Sequence, residues 1–232
     1  MHTYYKLLPA TDVRKDGESI IEILCAVKED KCENDIKLLN YYREVPINFG
    51  ASIDHIEHGM VEMTIHPLQA VLMQEQKETL IRSGHFEHDV VAKVNKAGAE
   101  KRFAFLTSFS YVQILSDRRS QIRVEVAEKI DVSFRSGQLQ LQGMLKDISL
   151  GGMAITAQGK QGLEENIKGK ATLSLGGKSL EIQGILLRIT DSPPQKSVVI
   201  QFTPDSKSEE IISHFIFQTQ SEIIRELKEK II

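Results

Sequence analysis

Hydrophobic and polar residues alternate along much of this chain with the period of two that is typical of β-strands. In the first half, an alternating run from Ile47 to Ile53 is followed by a turn at His58-Gly59 and a second run from Val61 to Ile65. Two such runs around a polar turn predict an antiparallel hairpin. Further short runs continue to Tyr111, so residues 1–115 are predicted to form a small β-barrel or sandwich.

Some segments of the chain depart from this alternation. Apolar residues at helical spacing predict one helix over residues 28 to about 43, after a short strand at Ile20–Val27. The segment Leu68–Met73 is predicted to be another short strand. The clearest helix is Glu209–Ile232. We expect its apolar stripe to pack on the barrel predicted for the second half of the chain, and the alternative is that the stripe contacts a second copy or a partner protein.

Alternating runs resume after a basic segment near residue 118 and predict a second β-barrel. The predicted fold is therefore mainly β, with two small antiparallel barrels, an arginine-rich connector between them and a carboxy-terminal helix. The predicted domains are residues 1–115, a small barrel or sandwich with one helix, and residues 116–232, a barrel with the terminal helix.

The composition of the chain argues against several classes of function. The chain has 232 residues and a formal net charge of −3, which argues against bulk nucleic-acid binding and requires any anion site to be local. No apolar run approaches the length of a membrane span, and residues 1–8 lack the features of a signal peptide, so we expect a cytoplasmic protein without membrane insertion. Cys25 and Cys32 are too few for a disulfide framework.

Two short segments carry the candidate chemistry. Arg119 and Arg123 are four positions apart, which places them on one face in either a strand or a helix. Paired guanidinium groups suit phosphates and the O6 and N7 edge of guanine. Asp147 can accept hydrogen bonds from the N1 and N2 donors of guanine, Ser149 adds a hydroxyl, and Gly152 allows a turn where a side chain would obstruct.

In this order, Arg-x-x-x-Arg and Asp-x-Ser-x-x-Gly resemble the two-part signature of PilZ domains, the bacterial receptors for cyclic di-GMP. The resemblance covers about residues 117–225. It implies that Arg119 and Arg123 bind the phosphates and guanine, and that Asp147, Ser149 and Gly152 form the turn that reads guanine. In the family, an arginine directly before the motif accompanies binding of a ligand dimer, so Arg118 implies two cyclic di-GMP molecules per chain.

The first half of the chain looks like the companion domain of flagellar-brake proteins of the YcgR type, which implies a short helix followed by a split β-barrel. This resemblance implies a sensor that changes its domain orientation when it binds the second messenger and so regulates a protein target. Flagellar motor components are one candidate target, and other outputs such as biofilm formation are compatible. A monomer and a homodimer both remain open.

The sequence does not favour an enzyme. It contains no phosphate-binding loop, no His-Glu-x-x-His and no nucleophile elbow, and it implies no cofactor. Histidines at positions 55, 58, 66, 85 and 88 do not have the convergent spacing of metal ligands, so no metal site is expected. The alternative function is a structural or interaction adaptor with the PilZ fold that does not bind nucleotide.

Overall fold

The structure is a computed structural model, and it describes residues 4–8, 13–115, 121–157, 164–192 and 195–231. The described residues form fifteen strands and three helices. They divide into two compact units. The first unit is Met1–Tyr42, Pro46–Ser120 and Ile224–Ile232, and the second is Arg43–Val45 with Gln121–Ile223. The predicted boundary between residues 115 and 116 stays a prediction.

The first unit is built on one antiparallel sheet of eight strands. These are β1 (Tyr5–Leu7), β2 (Lys37–Tyr42), β3 (Val45–Gly50), β4 (Ser52–Glu57), β5 (Met60–Thr64), β6 (Glu78–Arg82), β7 (Asp89–Gly98) and β8 (Phe103–Ile114). The strand order is β3-β2-β6-β7-β8-β5-β4, and β1 pairs with β8. The second predicted arm of the hairpin, Val61–Ile65, is β5, and it pairs with β4 through a turn at His58-Gly59 with positive φ angles of 49° and 76°. The first arm, predicted at Ile47–Ile53, is misplaced, because its first four residues belong to β3 and only Ser52 and Ile53 lie in β4.

Helix α1 (Val13–Lys28) replaces the predicted strand at Ile20–Val27. Ile20, Leu24 and Val27 recur at helical spacing and are almost completely buried, with exposures of 0%, 0% and 4%. The short apolar run suggested a strand, but one apolar face buried in the core stabilises a helix instead. The strand prediction is therefore wrong.

The helix predicted over residues 28 to about 43 is also wrong, because β2 occupies its second half. Four consecutive residues of β2, Leu38 to Tyr41, are buried. A strand buried on both faces shows no alternation, and its apolar positions can then fit a helical spacing by chance.

A second helix, α2 (Pro67–Gln76), lies where the short strand Leu68–Met73 was predicted. His66 caps its start, because the backbone N–H of Leu68 donates to His66 Nδ1 at 3.2 Å. Proline in the first turn and Lys77 in the left-handed conformation at the end complete the helix signals. The described residues between 4 and 115 thus form two helices, and the prediction of one is wrong.

The second unit is a closed antiparallel barrel. Its strands are β9 (Arg123–Glu125), β10 (Asp131–Ser136), β11 (Leu139–Ser149), β12 (Gly152–Ala157), β13 (Ile167–Leu175), β14 (Lys178–Ser192) and β15 (Gln195–Phe202). Six of them close in the order β10-β13-β14-β15-β12-β11, because β11 also pairs with β10. The short strand β9 pairs with the end of β11 beyond the β10 pairing.

The barrel interior holds the core of the second unit. Phe134, Ile148, Ile155 and Val198 are fully buried. Gly169 is required beside the Phe134 ring, because a Cβ at this position would lie 2.5 Å from Phe134 Cζ. The neighbouring residues on each strand point outward, and the outer face is therefore the side available for binding.

Helix α3 (Ser206–Glu229) ends the fold. Asp205 caps it, because the backbone N–H of Ser208 donates to Asp205 Oδ1 at 2.8 Å. Its apolar stripe is buried as predicted, at Ile212, Phe215, Ile216, Ile223 and Leu227. The mainly β class, the carboxy-terminal barrel and the terminal helix are confirmed. Within the described residues, none of the helices combines the length and the apolar character needed to cross a membrane.

Candidate ligand-binding site

The six candidate ligand residues fall into two groups. Arg118 and Arg119 lie outside the described residues. The other four belong to three adjacent elements of the barrel: Arg123 is on β9, Asp147 and Ser149 are on β11, and Gly152 begins β12.

Strand register brings these four residues together. Ser149 lies opposite Arg123 in the β9–β11 pair and opposite Gly152 in the β11–β12 pair. Directly opposed residues of an antiparallel sheet point to the same face. Val124 and Ile148, which alternate with them, are fully buried in the barrel. Arg123, Asp147 and Ser149 therefore share the outer face.

A β-bulge shapes the end of β11. The β11–β12 register shifts between Leu145 and Asp147, and the backbone carbonyl of the intervening Lys146 accepts from Val126 N–H at 2.9 Å. The first part of β11 pairs with β10, and the part after the bulge pairs with β9. Bulges redirect side chains at barrel rims, and this one lies directly before Asp147.

Arg123 and Asp147 form the charged centre of the site. Arg123 Nη1 lies 3.4 Å from Asp147 Oδ1, and the two side chains are 30% and 7% exposed. Arg123 Nε is buried and has no hydrogen-bond partner among the described residues. A buried N–H of a charged group without a partner is costly. It is therefore a donor that a bound anion or carbonyl oxygen would satisfy.

Ser149 and Gly152 form the tight connection beside this pair. Ser149 is buried, and its hydroxyl donates to the Gly152 carbonyl at 3.2 Å. A Cβ on Gly152 would lie 2.9 Å from the carbonyl oxygen of Ile200, which belongs to the neighbouring strand. The glycine is required here by close backbone approach, since a side chain at this position would push β12 away from β15.

From Gly152, a row of paired residues continues around the barrel. Gly152 lies opposite Gln201 on β15, Gln201 opposite Ile185 on β14, and Ile185 opposite Lys168 on β13. These residues are far apart in sequence, and only the strand register places them in one row. No sequence motif pointed to them.

The histidines do not form a metal centre in the described part of the chain, where no group of three or more His, Cys, Asp or Glu is placed to hold an ion. His55 and His58 lie 3.6 and 3.5 Å from Glu57. His85 lies beside Asp35, whose pKa is lowered chiefly by hydrogen bonds from Ser83 and the Gly84 N–H. His66 has the capping role described above.

A protein-family model matches part of the chain. Residues 117–218 match the family model of the PilZ domain, and this range contains all six candidate residues. No curated protein matches the chain in sequence.

The chain is also similar to several solved structures. YcgR from Escherichia coli in complex with c-di-GMP is 15% identical, with a TM-score of 0.45 and full coverage of both chains. The c-di-GMP complex of MrkH from K. pneumonia is 15% identical, with a TM-score of 0.46, and the match covers 90% of this chain and 96% of MrkH. The motility inhibitor MotI/DgrA from Bacillus subtilis is 12% identical, with a TM-score of 0.42 and coverage of 81% and 96%. These similarities are too distant to assign a function.

Proposed function

We propose that this chain is a receptor for cyclic di-GMP, because residues 117–218 match the family model of the PilZ domain. The observation that carries the proposal is the convergence of Arg123, Asp147, Ser149 and Gly152 on adjacent strands of one barrel face. Arg123 Nε is buried there without a hydrogen-bond partner among the described residues. A purely structural arginine would be expected to have its donors satisfied.

Each residue has a proposed role in binding. The Arg123 guanidinium donates to a phosphate or to the O6 and N7 edge of a guanine. The Asp147 carboxylate accepts from guanine N1 and N2, and it also holds Arg123, whose Nη1 is 3.4 Å away. The Ser149 hydroxyl and the Gly152 backbone complete the turn at the base edge. By the resemblance to the PilZ signature, Arg118 and Arg119 supply the remaining guanidinium groups.

The proposed stoichiometry is two ligand molecules per chain. Arg118 supports it, because in the PilZ resemblance an arginine at this position accompanies an intercalated ligand dimer. Guanidinium groups can stack on the additional bases of a second molecule. A titration that saturates at one ligand per chain would contradict this stoichiometry and leave the receptor function intact.

The proposed output is a change in domain orientation that alters contact with a protein target. A flagellar motor component is one candidate target, and the regulator acts as a monomer or a homodimer. Small-angle scattering with and without cyclic di-GMP tests the orientation change. Identical scattering curves at saturating ligand would exclude it.

Isothermal titration calorimetry tests the receptor function itself. Wild-type protein should bind cyclic di-GMP, whereas the Arg119→Ala, Arg123→Ala double variant should not, and GTP should not compete. A circular dichroism melt of both proteins establishes that the double variant is folded. If the folded wild-type protein binds no cyclic di-GMP, the receptor proposal is wrong and the adaptor function becomes the better explanation.

A further inference from the structure

Glu125 lies on the outer face of the barrel directly opposite Asp147, and neither sequence motif contains it. The two residues are paired in the register of β9 and β11. Arg123 precedes Glu125 by two positions, and the intervening Val124 is fully buried. Because alternate residues of a strand point to the same face, Glu125 shares the face that carries Arg123, Asp147 and Ser149.

The hydrogen bonds of β9 show how close the two carboxylates come. The Val126 N–H donates to the carbonyl of Lys146 at 2.9 Å. A bond between these positions, one residue after Glu125 and one residue before Asp147, identifies Glu125 and Asp147 as a non-hydrogen-bonded pair. In such a pair the Cα atoms are about 4.5 Å apart, closer than in a hydrogen-bonded pair, and the side chains are direct neighbours.

The other edge of β9 holds the backbone of Glu125 in place. The Glu125 N–H donates to the Arg43 carbonyl at 3.1 Å, and Arg43 Nη2 donates to the Glu125 carbonyl at 3.5 Å. Arg43 and β9 both belong to the second unit. The strand is therefore bound on both edges near this position, and the Glu125 side chain leaves from a fixed backbone.

The fold does not use the Glu125 carboxylate. Glu125 is half-buried, and within the described residues its carboxylate makes no hydrogen bond and no ion pair. Asp147 differs, because Arg123 Nη1 lies 3.4 Å from its Oδ1. Like charges directly opposite each other in a sheet are destabilising, so the second carboxylate is unfavourable for the fold alone. Hydrogen-bond donors from a ligand would offset this repulsion.

The spacing of the two carboxylates fits two stacked bases. Stacked nucleobases are about 3.4 Å apart, and the side chains of directly opposed residues start about 4.5–5.5 Å apart at Cβ. Each carboxylate can therefore meet the edge of one base in a stacked pair. Guanine presents two donors on that edge, N1–H and N2–H, and an ionised carboxylate only accepts. Adenine presents an acceptor at N1, which a carboxylate would repel.

We propose that Glu125 is a second guanine-reading carboxylate, which accepts hydrogen bonds from N1 and N2 of a guanine stacked on the guanine that Asp147 binds. The proposal rests on the cyclic di-GMP receptor function and on the stoichiometry of two ligands per chain, because the second molecule supplies the stacked guanine. It adds a residue outside the two motifs that contributes to the selectivity for guanine.

Titration calorimetry with cyclic di-GMP tests the proposal through the sign of the effect of Glu125→Gln. If Glu125 accepts from guanine, the variant loses charge-assisted hydrogen bonds, and the affinity should fall about tenfold or more. If Glu125 only adds negative charge beside an anionic ligand, the variant removes repulsion and the affinity should rise, which would overturn the proposal. Glu128→Gln makes the same change of charge at an exposed position and is the control, without a loss of affinity.

Ligand selectivity gives a second measurement. The preference for cyclic di-GMP over cyclic di-AMP should fall about tenfold in Glu125→Gln, because the amide has a donor that can bind adenine N1. The preference should be preserved in Glu128→Gln. An unchanged preference in Glu125→Gln would overturn the guanine-reading role.

The Arg123→Ala variant separates this proposal from the receptor function, and a circular dichroism melt establishes that each variant is folded. If wild-type protein binds cyclic di-GMP, Arg123→Ala does not, and Glu125→Gln binds at least as tightly as wild type, the role of Glu125 is overturned and the receptor function stands. Saturation at one ligand per wild-type chain has the same consequence, since the stacked guanine is then missing. If wild-type protein does not bind, both proposals fall.

Discussion

The two units treat their buried polar side chains in opposite ways. In the first unit, Asn40 is 3% exposed and makes four hydrogen bonds. They join it to Gln76 Oε1, the Glu78 carbonyl, Gln69 Nε2 and Thr79 Oγ1 at 2.5 to 2.8 Å. In the second unit, a charged pair lies at the barrel surface, and Arg123 Nε has no hydrogen-bond partner among the described residues.

This difference separates a structural network from a binding site. In the network around Asn40, the buried atom without a hydrogen-bond partner among the described residues is Gln69 Oε1, which belongs to a neutral amide. In the second unit, Ser133 Oγ and Arg123 Nε have no hydrogen-bond partner among the described residues. Burial without a partner is more costly for the charged guanidinium group than for a neutral group. Polar groups that stabilise a fold generally find their hydrogen-bond partners within the fold, whereas polar groups that bind a ligand find theirs when the ligand binds.

The largest expected effect is that of Arg123→Ala on ligand affinity. It removes charge-assisted hydrogen bonds that contribute about 1.5–3 kcal/mol each, so the dissociation constant for cyclic di-GMP should rise about a hundredfold or more. The melting temperature should change little, because the side chain lies outside the barrel core. Arg135→Ala, at an exposed position on β10, is the control. A large fall in stability with unchanged affinity would place Arg123 among the structural residues.

The opposite result is expected for Asn40→Ala. Its four partners would lose their hydrogen bonds in a buried region, which should lower the stability of the first unit by about 3 kcal/mol. Urea unfolding followed by circular dichroism measures this change, and Asn95→Ala at an exposed position of β7 is the control. Cyclic di-GMP affinity of the folded variant should equal that of wild type. A loss of affinity would show that the network does more than stabilise.

A smaller effect is expected for Asp147→Asn. The amide replaces one carboxylate oxygen with a donor that faces the donors of guanine, so the preference for cyclic di-GMP over cyclic di-AMP should fall about tenfold. Competition titrations with the two dinucleotides measure the ratio. Asp131→Asn makes the same change at an exposed position on β10 and should preserve it. An equal loss of affinity for both ligands would contradict a guanine-reading role.

Local patterns along the chain predicted those parts of the molecule that depend on local interactions. Strand β5 and helix α3 have one buried face each, so their periodicity is visible in the sequence. Strand β4 has no fully buried residue, and the first arm of the hairpin was therefore predicted at the wrong place. Strand β2 has no such face, because four consecutive residues are buried. Its environment is set by β3 and β6, which follow it in the sequence.

The candidate site and its surroundings likewise combine residues that local motifs predict with residues that only the pairing of distant strands brings together. The motif residues from Arg123 to Gly152 were found in the sequence because two short signatures contain them. The alignment of Gln201 and Lys168 with Gly152 was not predicted, since it depends on pairings between distant strands. The register of β14 with β15 also shifts between Leu186 and Arg188. Such a shift changes which residues lie opposite each other, and no local pattern indicates it.

The smallest expected effect is a pH dependence that belongs to the first unit alone. Burial lowers the pKa of His66 below its usual value of 6.5, with smaller contributions from Arg102 and Lys228. The neutral ring stacks on Phe49, with 3.7 Å between the ring centroids, and it accepts a hydrogen bond from the Leu68 N–H at the start of α2. Protonation of Nδ1 would remove that acceptor.

The sign of the effect follows from the lowered pKa. Above pH 6.5 the folded and unfolded chains are both neutral at His66, and its contribution to stability is fully present. As the pH falls below 6.5 the unfolded chain binds the proton first, so this contribution is lost progressively down to the folded pKa. Amide exchange at Leu68 should therefore be faster at about pH 5.5 than its intrinsic pH dependence predicts. His66→Asn retains a capping side chain without the titration, and equal behaviour of both proteins would exclude His66 as the cause.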